Sequence, residues 1–528
     1  MTKKFRIFAT NFKTNHFTRQ TMKKTIAIAI AAFCCITANA QEINAVVTRQ
    51  GTTNKNCYQL SSQPSVVFDE DNTITVKEGE TAKEQYTLSE SNTLTVLFGS
   101  AITNETNAEN LVVDHPIYIM NNGKLTVSGT MANANAEDLV IEDGGQLIHN
   151  SENVQATVRK EVSAYSTTEG VNDGWYFVAS PMANLTSHNL NNGTFDLFKF
   201  VQSTEKEWKN YENAPFSITN KEGYLYANAA KTTIEFVGKL NATAGNKTLV
   251  YENDVRLAGF NLIGNPFACN ANIGTQDFYI CDGENITLAE NNTIAPCTGI
   301  MVKANATGES VTFVKGEGIM ERSNALDITV AKAARNANTM DRARINFSGD
   351  SQLNKFFFNE NSCLYIPQNK EEYAAVSTSS TSGEMPVSFK AAKNGSYTIT
   401  VNTENVEAEY LHLIDNLTGA DVDLLATAST GSASYTFDAK TDDYALRFKL
   451  VFGVKDETSE ASENFAFISN GEIIVSNEGR ATLQVIDVLG RIVSSEEING
   501  ECRISTNGMT AGVYILNLNG KTQKIVVE

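Results

Sequence analysis

The stretches Ala481-Thr-Leu-Gln-Val-Ile-Asp-Val-Leu-Gly-Arg491 and Gly512-Val-Tyr-Ile-Leu-Asn-Leu518 show the pattern that decides the fold of this chain. In both, apolar side chains recur at every second position, and Gly or Asp marks the place where the chain turns. Because successive side chains of a strand point to opposite faces, this alternation is typical of β-strands with one buried face. Each stretch therefore predicts a short strand beside a tight turn.

The same period-two pattern recurs along the whole chain, whereas a helical period is nearly absent. Runs rich in Val, Ile, Thr, Tyr and Phe lie between clusters of Asn, Gly and Asp, which is the signature of short strands and tight turns. The length of 528 residues suggests about three domains, at roughly 150 residues each. The sequence therefore predicts an all-β, multidomain protein. Representative strands are Thr73–Val76, Thr93–Leu97, Thr232–Val237, Ser396–Val401 and Leu483–Ile486.

Residues 22–40 have the composition of a secretory signal peptide. Lys23 and Lys24 precede an apolar run that closes on Ala38-Asn39-Ala40, a small-x-small cleavage pattern. The apolar run is shorter than the roughly 20 residues that a bilayer span needs, and no longer run follows. We therefore expect the mature chain to begin at Gln41 and to have no transmembrane segment. Because a complete signal opens with its own Met22, we expect residues 1–21 to be an upstream mis-start.

The chain is acidic, with a formal net charge of −19 at pH 7. Residues 1–40 hold seven Lys/Arg and no Asp/Glu, so the charge of the predicted mature chain is −26. Nucleic acid is not expected as a partner, because phosphate binding needs a basic surface. Acidity of this kind favours solubility without identifying a substrate.

Six cysteines remain after the predicted cleavage, and they form no recognisable metal motif. They are Cys57, Cys269, Cys281, Cys297, Cys363 and Cys502. Only Cys269, Cys281 and Cys297 lie close together in sequence, and Cys281 could pair with Cys297. A chain of this length can bury enough apolar surface to be stable without a disulfide. The spacings are not those of a zinc site.

The first predicted region, 41–158, contains an internal echo. Asn122-Gly-Lys-Leu-Thr-Val127 and Gly144-Gly-Gln-Leu-Ile-His149 lie 22 residues apart, and Leu111–Asp114 and Leu139–Glu142 form a second such pair. Strands that recur between Asn/Gly corners are typical of the rungs of a parallel β-helix. An ordinary β-sandwich remains an alternative.

The second predicted region, 159–325, reads as a duplication. Each half has a strand that closes on a Pro turn, Gly174-Trp-Tyr-Phe-Val-Ala-Ser-Pro181 in one and Gly259-Phe-Asn-Leu-Ile-Gly-Asn-Pro266 in the other. Each continues through an aromatic strand, 197–200 or 277–280, to a strand that Gly223 or Gly299 opens. This arrangement resembles that of large surface proteins of the Bacteroidetes, a resemblance that assigns no activity.

Residues 326–341 are rich in Ala, Asn, Arg and Thr and are predicted to be a linker with one helical turn at 330–334. Eight predicted strands in residues 342–453 indicate a β-sandwich. A second linker is predicted at 454–463, where the chain is acidic and Ser-rich. The last predicted domain, 464–528, holds about six short strands.

The motifs of the last domain resemble a known family. A strand that ends in Asp-x-x-Gly-Arg, then Gly-Val-Tyr-Ile-Leu, then Lys-Ile-Val-Val at the C-terminus looks like the type A sorting domain of the type IX secretion system. The resemblance covers about 65 residues and falls on Asp487, Gly490, Arg491, Gly512, Val513, Tyr514, Lys524, Ile525 and Val526. Each of these residues also has a structural interpretation, as a turn or strand residue of an ordinary hairpin.

The resemblance implies an immunoglobulin-like sandwich that the outer-membrane translocon recognises. It also implies that the tail is often removed as cargo becomes attached to surface lipopolysaccharide. The expected location is the outer-membrane surface or the extracellular medium, after passage through the inner membrane by means of the signal peptide. The chain ends on Glu528, whereas such domains commonly end on a basic residue, so the mode of anchoring stays open.

The sequence shows no catalytic motif. The histidines of the mature chain are not spaced as in a metallopeptidase, and there is no Gly-x-Ser-x-Gly elbow. His412 alternates with Tyr410 and Ile414, which favours a packed or edge position. Asp69, Asp71, Asp421 and Asp423 lack the loop of a calcium site. We therefore expect no catalytic residue, cofactor or metal ligand. Paired carboxylates for glycoside hydrolysis are an alternative, because any two of the 61 acidic residues can meet in the folded chain.

Aromatic residues of the second region offer a different function, since aromatic rings stack on sugars. They are Trp175, Trp208, Tyr211, Tyr224 and Tyr226, and packing in a core is the competing interpretation. The leading hypothesis is a non-enzymatic, adhesin-like surface protein. The alternatives are a surface glycan-binding module and an unrecognised secreted hydrolase.

Overall fold

The computed structural model describes most of the chain from residue 42 onward. The described ranges are 42–50, 53–68, 73–87, 94–168, 173–243, 245–283, 285–316, 324–335, 337–347, 352–357, 361–403, 406–429, 433–454, 465–477 and 479–527, with the backbone of two short strands, Phe5–Ile7 and Thr25–Ile26. Apart from those two strands, the predicted signal peptide lies outside the described residues. So do Asp69, Asp71, Glu528 and nearly all of the predicted linker 454–463.

The described residues confirm the all-β prediction. Strands and turns follow one another throughout, and the one α-helix in this part of the chain is Leu424–Ser429. None of the described helices has the length and the apolar character that a bilayer crossing requires. The chain divides into two compact units. Unit 1 comprises Met1–Gly274, Ile280–Glu284 and Thr293–Ile319, and unit 2 comprises Thr275–Tyr279, Asn285–Asn292 and Met320–Glu528.

Unit 1 begins with a short parallel β-helix. The strands Leu94–Ile102, Ile117–Ile119, Leu139–Ile141 and Gln155–Val162 form one parallel ladder. A second ladder joins Glu105–Ala108, Lys124–Val127 and Gln146–Ile148, and a third joins Leu111–Val112 to Met131–Ala132. The apolar side chains of successive rungs stack in one buried cluster. The remaining elements of this region are the strands Ala45–Gln50, Thr53–Gln59, Pro64–Phe68, Thr73–Glu78 and Thr81–Thr87 and the 3₁₀ turns Leu60–Ser62 and Ala136–Asp138.

The first predicted echo coincides with a rung of the helix. Lys124 lies opposite Gln146 and Leu125 opposite Leu147, which is an offset of 22 residues. The second predicted echo is wrong in its pairing, because Leu139–Ile141 lies beside Ile117–Ile119, and Leu111–Val112 lies beside Met131–Ala132. Strands one rung apart lie on the same face of the β-helix and pair with each other. The two segments of the second echo are further apart in sequence than one rung, so they lie on different faces.

Antiparallel strands cover both ends of the first ladder. Ala45–Gln50 pairs with Leu94–Ile102 at one end, and Thr232–Leu240 pairs with Gln155–Val162 at the other. Covering these edges prevents further strand addition to the parallel ladder.

The two halves of the predicted duplication have the same strand pairing. Tyr176–Ala179 runs antiparallel to Gly223–Asn228, and Phe260–Gly264 runs antiparallel to Gly299–Lys303. In the first half Ala179 lies opposite Gly223, and in the second Gly264 lies opposite Gly299. The other strands of the region are Met182–His188, Phe195–Phe200, Trp208–Asn210, Gly245–Thr248, Ala271–Asn272, Tyr279–Ile280, Thr287–Leu288 and Ser310–Lys315.

Glycines allow the halves of the duplication to approach closely. A Cβ atom at Gly264 would lie 2.3 Å from the Cβ atom of Ala179, and one at Gly223 would lie 2.7 Å from the carbonyl oxygen of Ile263. Real side chains do not tolerate such distances. Gly223, which opens the third strand of the first half, is therefore a packing requirement as well as a turn signal.

Unit 2 contains an eleven-stranded sheet that encloses one apolar core. Its strands are Ala325–Lys332, Thr339–Asn346, Leu353–Asn354, Cys363–Gln368, Glu371–Ser377, Ser382–Lys390, Gly395–Asn402, Ala408–Asp415, Ala420–Asp423, Ser434–Ala439 and Phe448–Val454. Residues 325–454 are called the sandwich below.

The predicted linker 326–341 is wrong. Ala325–Lys332 and Thr339–Asn346 pair with each other as an antiparallel hairpin inside the sheet. Leu326, Ile328 and Val330 alternate with polar residues and pack in the core, which overrides the loop-like composition. The predicted helical turn at 330–334 is likewise replaced by the end of a strand.

The last domain is a seven-stranded sandwich around its own core. One sheet holds Ala466–Ser469, Glu472–Val475 and Cys502–Ser505. The other holds Ile492–Asn499, Arg480–Asp487, Gly512–Leu518 and Lys521–Val527, in that order. Residues 465–527 are called the tail domain below.

Candidate functional site

The Asp-x-x-Gly-Arg motif forms a closed turn at one end of the four-stranded sheet of the tail domain. One carboxylate oxygen of Asp487 accepts hydrogen bonds from the backbone N–H groups of Leu489 and Arg491, at 2.9 Å each. The other oxygen accepts a hydrogen bond from Nε of Arg491 at 2.7 Å. Gly490 has a φ of +79°, a left-handed conformation that Gly adopts without strain. The turn is therefore fixed by its own residues.

The charge of Asp487 is stabilised within this turn. The hydrogen bond from the backbone N–H of Arg491, together with the Arg491 guanidinium, holds the pKa of the Asp487 carboxyl below its usual range. Asp487 is consequently ionised at neutral pH, and its partner Arg491 is exposed to solvent.

The Gly-Val-Tyr motif places its tyrosine in the core of the tail domain. Tyr514 is buried, and its hydroxyl donates to the carbonyl oxygen of Thr510 at 2.9 Å. Gly512 opens the strand Gly512–Leu518. Tyr514 also lies opposite Ile525 of the last strand, which is itself buried. These motif residues hold the two C-terminal strands together.

Other motif residues lie on the surface. Val513 lies opposite Val526, and Ile515 lies opposite Lys524, so all four point away from the core. The structure thus separates predicted motif residues that pack in the core from others that lie at the surface. Tyr514 and Ile525 are core residues, and Asp487, Arg491, Lys524 and Val526 lie in positions that a partner can contact.

Exposed apolar side chains lie in the motif turn and on the strands of the same sheet. Val488 and Leu489 are 71% and 73% exposed, and they belong to the turn itself. The full set in the tail domain, called the apolar patch below, is Val488, Leu489, Ile492, Val493, Ile515 and Val526. Exposed apolar side chains that cluster around one feature are typical of an interaction site. Sequence reasoning missed this patch, although outward-facing apolar residues on both sides of the turn could have indicated it.

The tail domain packs against the outer face of the sandwich. Phe467 stacks on Tyr410 with ring centroids 4.9 Å apart, and both belong to a small apolar cluster with Val451 and Ile474. Gly453 leaves the space for this ring, because a Cβ atom there would lie 1.9 Å from the ring of Phe467. The contact is therefore matched in shape on both sides.

Charged side chains border this apolar contact. Arg503 of the tail domain pairs with Asp421 of the sandwich at 2.9 Å. His412 is buried, stacks on Tyr410 and shares Asp421 at 2.7 Å, as the sequence predicted for a packed histidine. Hydrogen bonds from His412 and Arg503 hold the pKa of Asp421 below its usual range despite its burial.

The aromatic residues predicted for glycan binding divide into two groups. Tyr224 and Tyr226 are core residues, at 1% and 0% exposure. Tyr211 makes edge contacts with Phe195 and Phe216 at the border of the same core. The glycan prediction is wrong for Tyr224 and Tyr226, because alternation along their strand turns both towards the β-helix core.

Trp208 and Trp175 lie beside two phenylalanines on the other face of the same sheet. Trp208 packs edge-on against Phe200 at 5.1 Å, and Trp175 lies 6.1 Å from Phe198. Phe198 and Trp208 line an open groove of about 570 Å³ along the edge strand Trp208–Asn210. Its other lining residues are Glu205, Lys206, Lys209, Asn210, Asn213 and Ala214.

Cysteines and acidic residues form no metal centre in the described part of the chain. The six cysteines are free, and the described residues contain no group of three His, Cys, Asp or Glu side chains arranged to hold an ion. Burial raises the pKa of Cys269 to about 12, so this thiol stays protonated at neutral pH. Asp421 is occupied by His412 and Arg503.

Comparison with known proteins identifies the tail domain. Residues 469–528 match the family described as "Secretion system C-terminal sorting domain". The chain therefore carries the C-terminal sorting domain of the type IX secretion system, which marks a secreted protein that is exported to the cell surface or beyond. The match includes all nine motif residues predicted from the sequence.

The rest of the chain is not placed by similarity. No curated protein matches it. Among solved structures, the chain is similar to one titled "Biofilm associated protein - BSP domain", with 10% identity over 90% of this chain and 79% of that chain. The TM-score is 0.12, a value too low to support an argument about fold or function.

Proposed function

We propose that this protein is a non-enzymatic, adhesin-like surface protein of the Bacteroidetes that a signal peptide and the type IX translocon deliver in succession. The sorting domain carries the proposal, because its motif turn and apolar patch are exposed on a fully formed sandwich. The β-helix and the sandwich preceding it are the cargo. Their strand-rich architecture suits a displayed structural module.

The apolar patch is the proposed contact surface for the translocon. Its residues flank Asp487 and Arg491, so one partner surface can contact apolar groups and a fixed ion pair together. A surface that combines apolar and charged groups favours specific recognition over non-specific hydrophobic association.

Charge substitutions on the apolar patch test this proposal. We expect the double variant Val488→Asp, Leu489→Asp to fold normally, because both side chains are already exposed, and to reduce surface display of the full chain at least tenfold. Surface labelling of intact cells measures display. Val250→Asp, a similarly exposed valine in unit 1, is the matched control. Equal display of the double variant and the control would contradict the proposal.

A second candidate function is glycan binding in the groove beside Trp208. Carbohydrates present apolar ring faces and polar edges, and this groove combines two aromatic rings with two lysines, a glutamate and two asparagines. The excess of lysine in an acidic chain favours a sugar that carries a carboxylate or sulfate.

The full chain on a glycan array tests the second candidate. We expect binding to acidic oligosaccharides that Trp208→Ala weakens at least tenfold, because the stacking surface is lost. Tyr444→Ala removes an exposed aromatic ring of unit 2 and should leave binding unchanged. Absence of array binding, or equal binding by both variants, rejects the groove as a glycan site. Turnover in a glycosidase or peptidase screen would instead favour the third candidate, a secreted hydrolase.

A further inference from the structure

An Asp–Lys pair inside the sandwich is not used by any function described above. Lys355 Nζ lies 2.5 Å from Asp341 Oδ2, and the two side chains are 3% and 5% exposed. Asp341 belongs to the strand Thr339–Asn346, and Lys355 directly follows the strand Leu353–Asn354. The pair therefore joins two neighbouring segments of one sheet.

Lys355 is poorly solvated for an ammonium group. An ammonium has three N–H donors, and within the described ranges Asp341 is the acceptor that Lys355 Nζ contacts. The surroundings of the pair combine apolar side chains, among them Ile286, Met340 and Phe356, with the polar side chains of Asn285, Asn361 and Ser362. A cavity of about 30 Å³ beside the pair has room for about one water molecule. Attack on Cγ requires one proton to pass first from Nζ to Oδ2, which frees the nitrogen lone pair, and the two atoms are already in contact.

Two backbone donors fix the carboxyl group of Asp341. Oδ1 accepts the N–H of Arg342 at 2.8 Å, and Oδ2 accepts the N–H of Leu364 at 2.7 Å. Donors that are already aimed at a carbonyl oxygen stabilise the negative charge that develops there during attack by a nucleophile. The nucleophile, Lys355 Nζ, is held in contact with the same carboxyl group.

We propose that Lys355 and Asp341 condense to an intramolecular amide. The Nζ lone pair attacks Cγ of Asp341, so that the Nζ–Cγ bond forms while Oδ1 takes the negative charge next to the N–H of Arg342. Oδ2 receives two protons from Nζ, the Cγ–Oδ2 bond breaks, and one water molecule leaves through the adjoining cavity. Oδ1 becomes the amide oxygen. The ammonium and carboxylate give one amide and one water, without an oxidant or other co-reactant.

The amide would lock the sandwich that precedes the tail domain. It closes the covalent loop from 341 to 355, which limits the freedom of the unfolded chain as a disulfide does. Unlike a disulfide, it would withstand a reducing environment. A displayed protein that bears load at the cell surface gains resistance to forced unfolding from such a bond.

Peptide mapping of the purified full chain tests the amide directly. Trypsin does not cut after a lysine whose amine is acylated, so the amide predicts a branched product in which Asn336–Arg342 is joined to Ile345–Lys370. Its mass should equal the two peptides together minus one water. The Lys355→Arg chain should give the unjoined Asn336–Arg342 peptide and unfold at lower denaturant concentration than the parent.

An internal control separates specific condensation from accidental cross-linking. Lys449 and Glu384 of the same sandwich also pair, at 3.0 Å, but are more exposed, and their peptides should remain separate. Recovery of Asn336–Arg342 as a free peptide from the parent chain, with cleavage after Lys355, would show an ordinary buried ion pair and overturn the proposal. This result does not depend on whether the Lys355→Arg chain folds.

Discussion

Arg344 shows how single residues organise unit 2. Its side chain is fully buried and contacts Asp327 and Asp277 at 2.7 Å each, while the carbonyl oxygens of Ala289 and Glu290 accept two further hydrogen bonds. Burial alone would lower the pKa of Arg344, but the two carboxylates raise it above its ordinary value. A buried charge with complete pairing fixes one arrangement of the strands around it.

The sequence could not predict this network. Asp277 lies 67 residues from Arg344, and Asp327 fell in a segment that composition marked as a linker. Nothing in the local pattern of an acidic residue tells whether its partner is water or a distant arginine. The same limit applies to Lys355 and Asp341, which have no sequence signature.

His149 makes the stability of unit 1 depend on pH. Burial, reinforced by the Lys315 ammonium, lowers the pKa of His149 to about 4. An unfolded histidine has a pKa of about 6.5, so the unfolded state binds the proton first as the pH falls. Stability is therefore lost between about pH 6.5 and pH 4, by up to about 3 kcal/mol.

The variant His149→Gln should remove most of this pH dependence. Denaturant unfolding at pH 7 and pH 4.5 measures the effect. His188→Gln is the control, because His188 is only half-buried and should contribute a smaller change. A parent and a His149→Gln chain with the same pH dependence would contradict the assignment.

At the scale of elements, the contact between Phe467 and Gly453 decides how the tail domain packs on the sandwich. Gly453 lies outside the left-handed region of backbone conformation, so the space for the ring, and not the backbone, demands Gly there. We expect Gly453→Val to displace Phe467 and lower the free energy of unfolding by about 1–3 kcal/mol.

Combination with Phe467→Ala identifies the contact. The two changes remove the same interaction, so the double variant should lose less stability than the two single losses together. Gly316→Ala is the matched control, because a Cβ atom there meets its nearest neighbour at an ordinary 3.6 Å. Additive losses in a denaturant titration would show that Gly453 and Phe467 act independently.

Strand patterns were predictable where one face is buried and the repeat is local. The rung of 22 residues, the duplicated strand pairs and the tail motifs could all be read from alternation and turn residues. The hairpin at 325–346 was not predicted. Its Ala, Asn and Arg residues are typical of loops, although Leu326, Ile328 and Val330 form the buried face of a strand. The groove beside Trp208 could be predicted only in part. The sequence indicated the aromatic residues, but the alternation of side chains does not show which face of a sheet is exposed at its edge strand.

In the whole molecule, an identified sorting domain follows β-rich regions for which a ligand is only proposed. The sorting domain covers the 60 matched residues 469–528, and it implies export to the cell surface or beyond. The β-helix, the duplicated region and the sandwich supply strand-rich surfaces, among which the groove beside Trp208 is the proposed ligand site.

Deletion of residues 463–528 tests the central claim most directly. Surface labelling of intact cells, compared with labelling after lysis, separates displayed protein from protein retained in the periplasm. We expect the deleted chain to be made and folded but labelled only after lysis, and the parent chain to be labelled on intact cells. Equal labelling of the two chains on intact cells would contradict it.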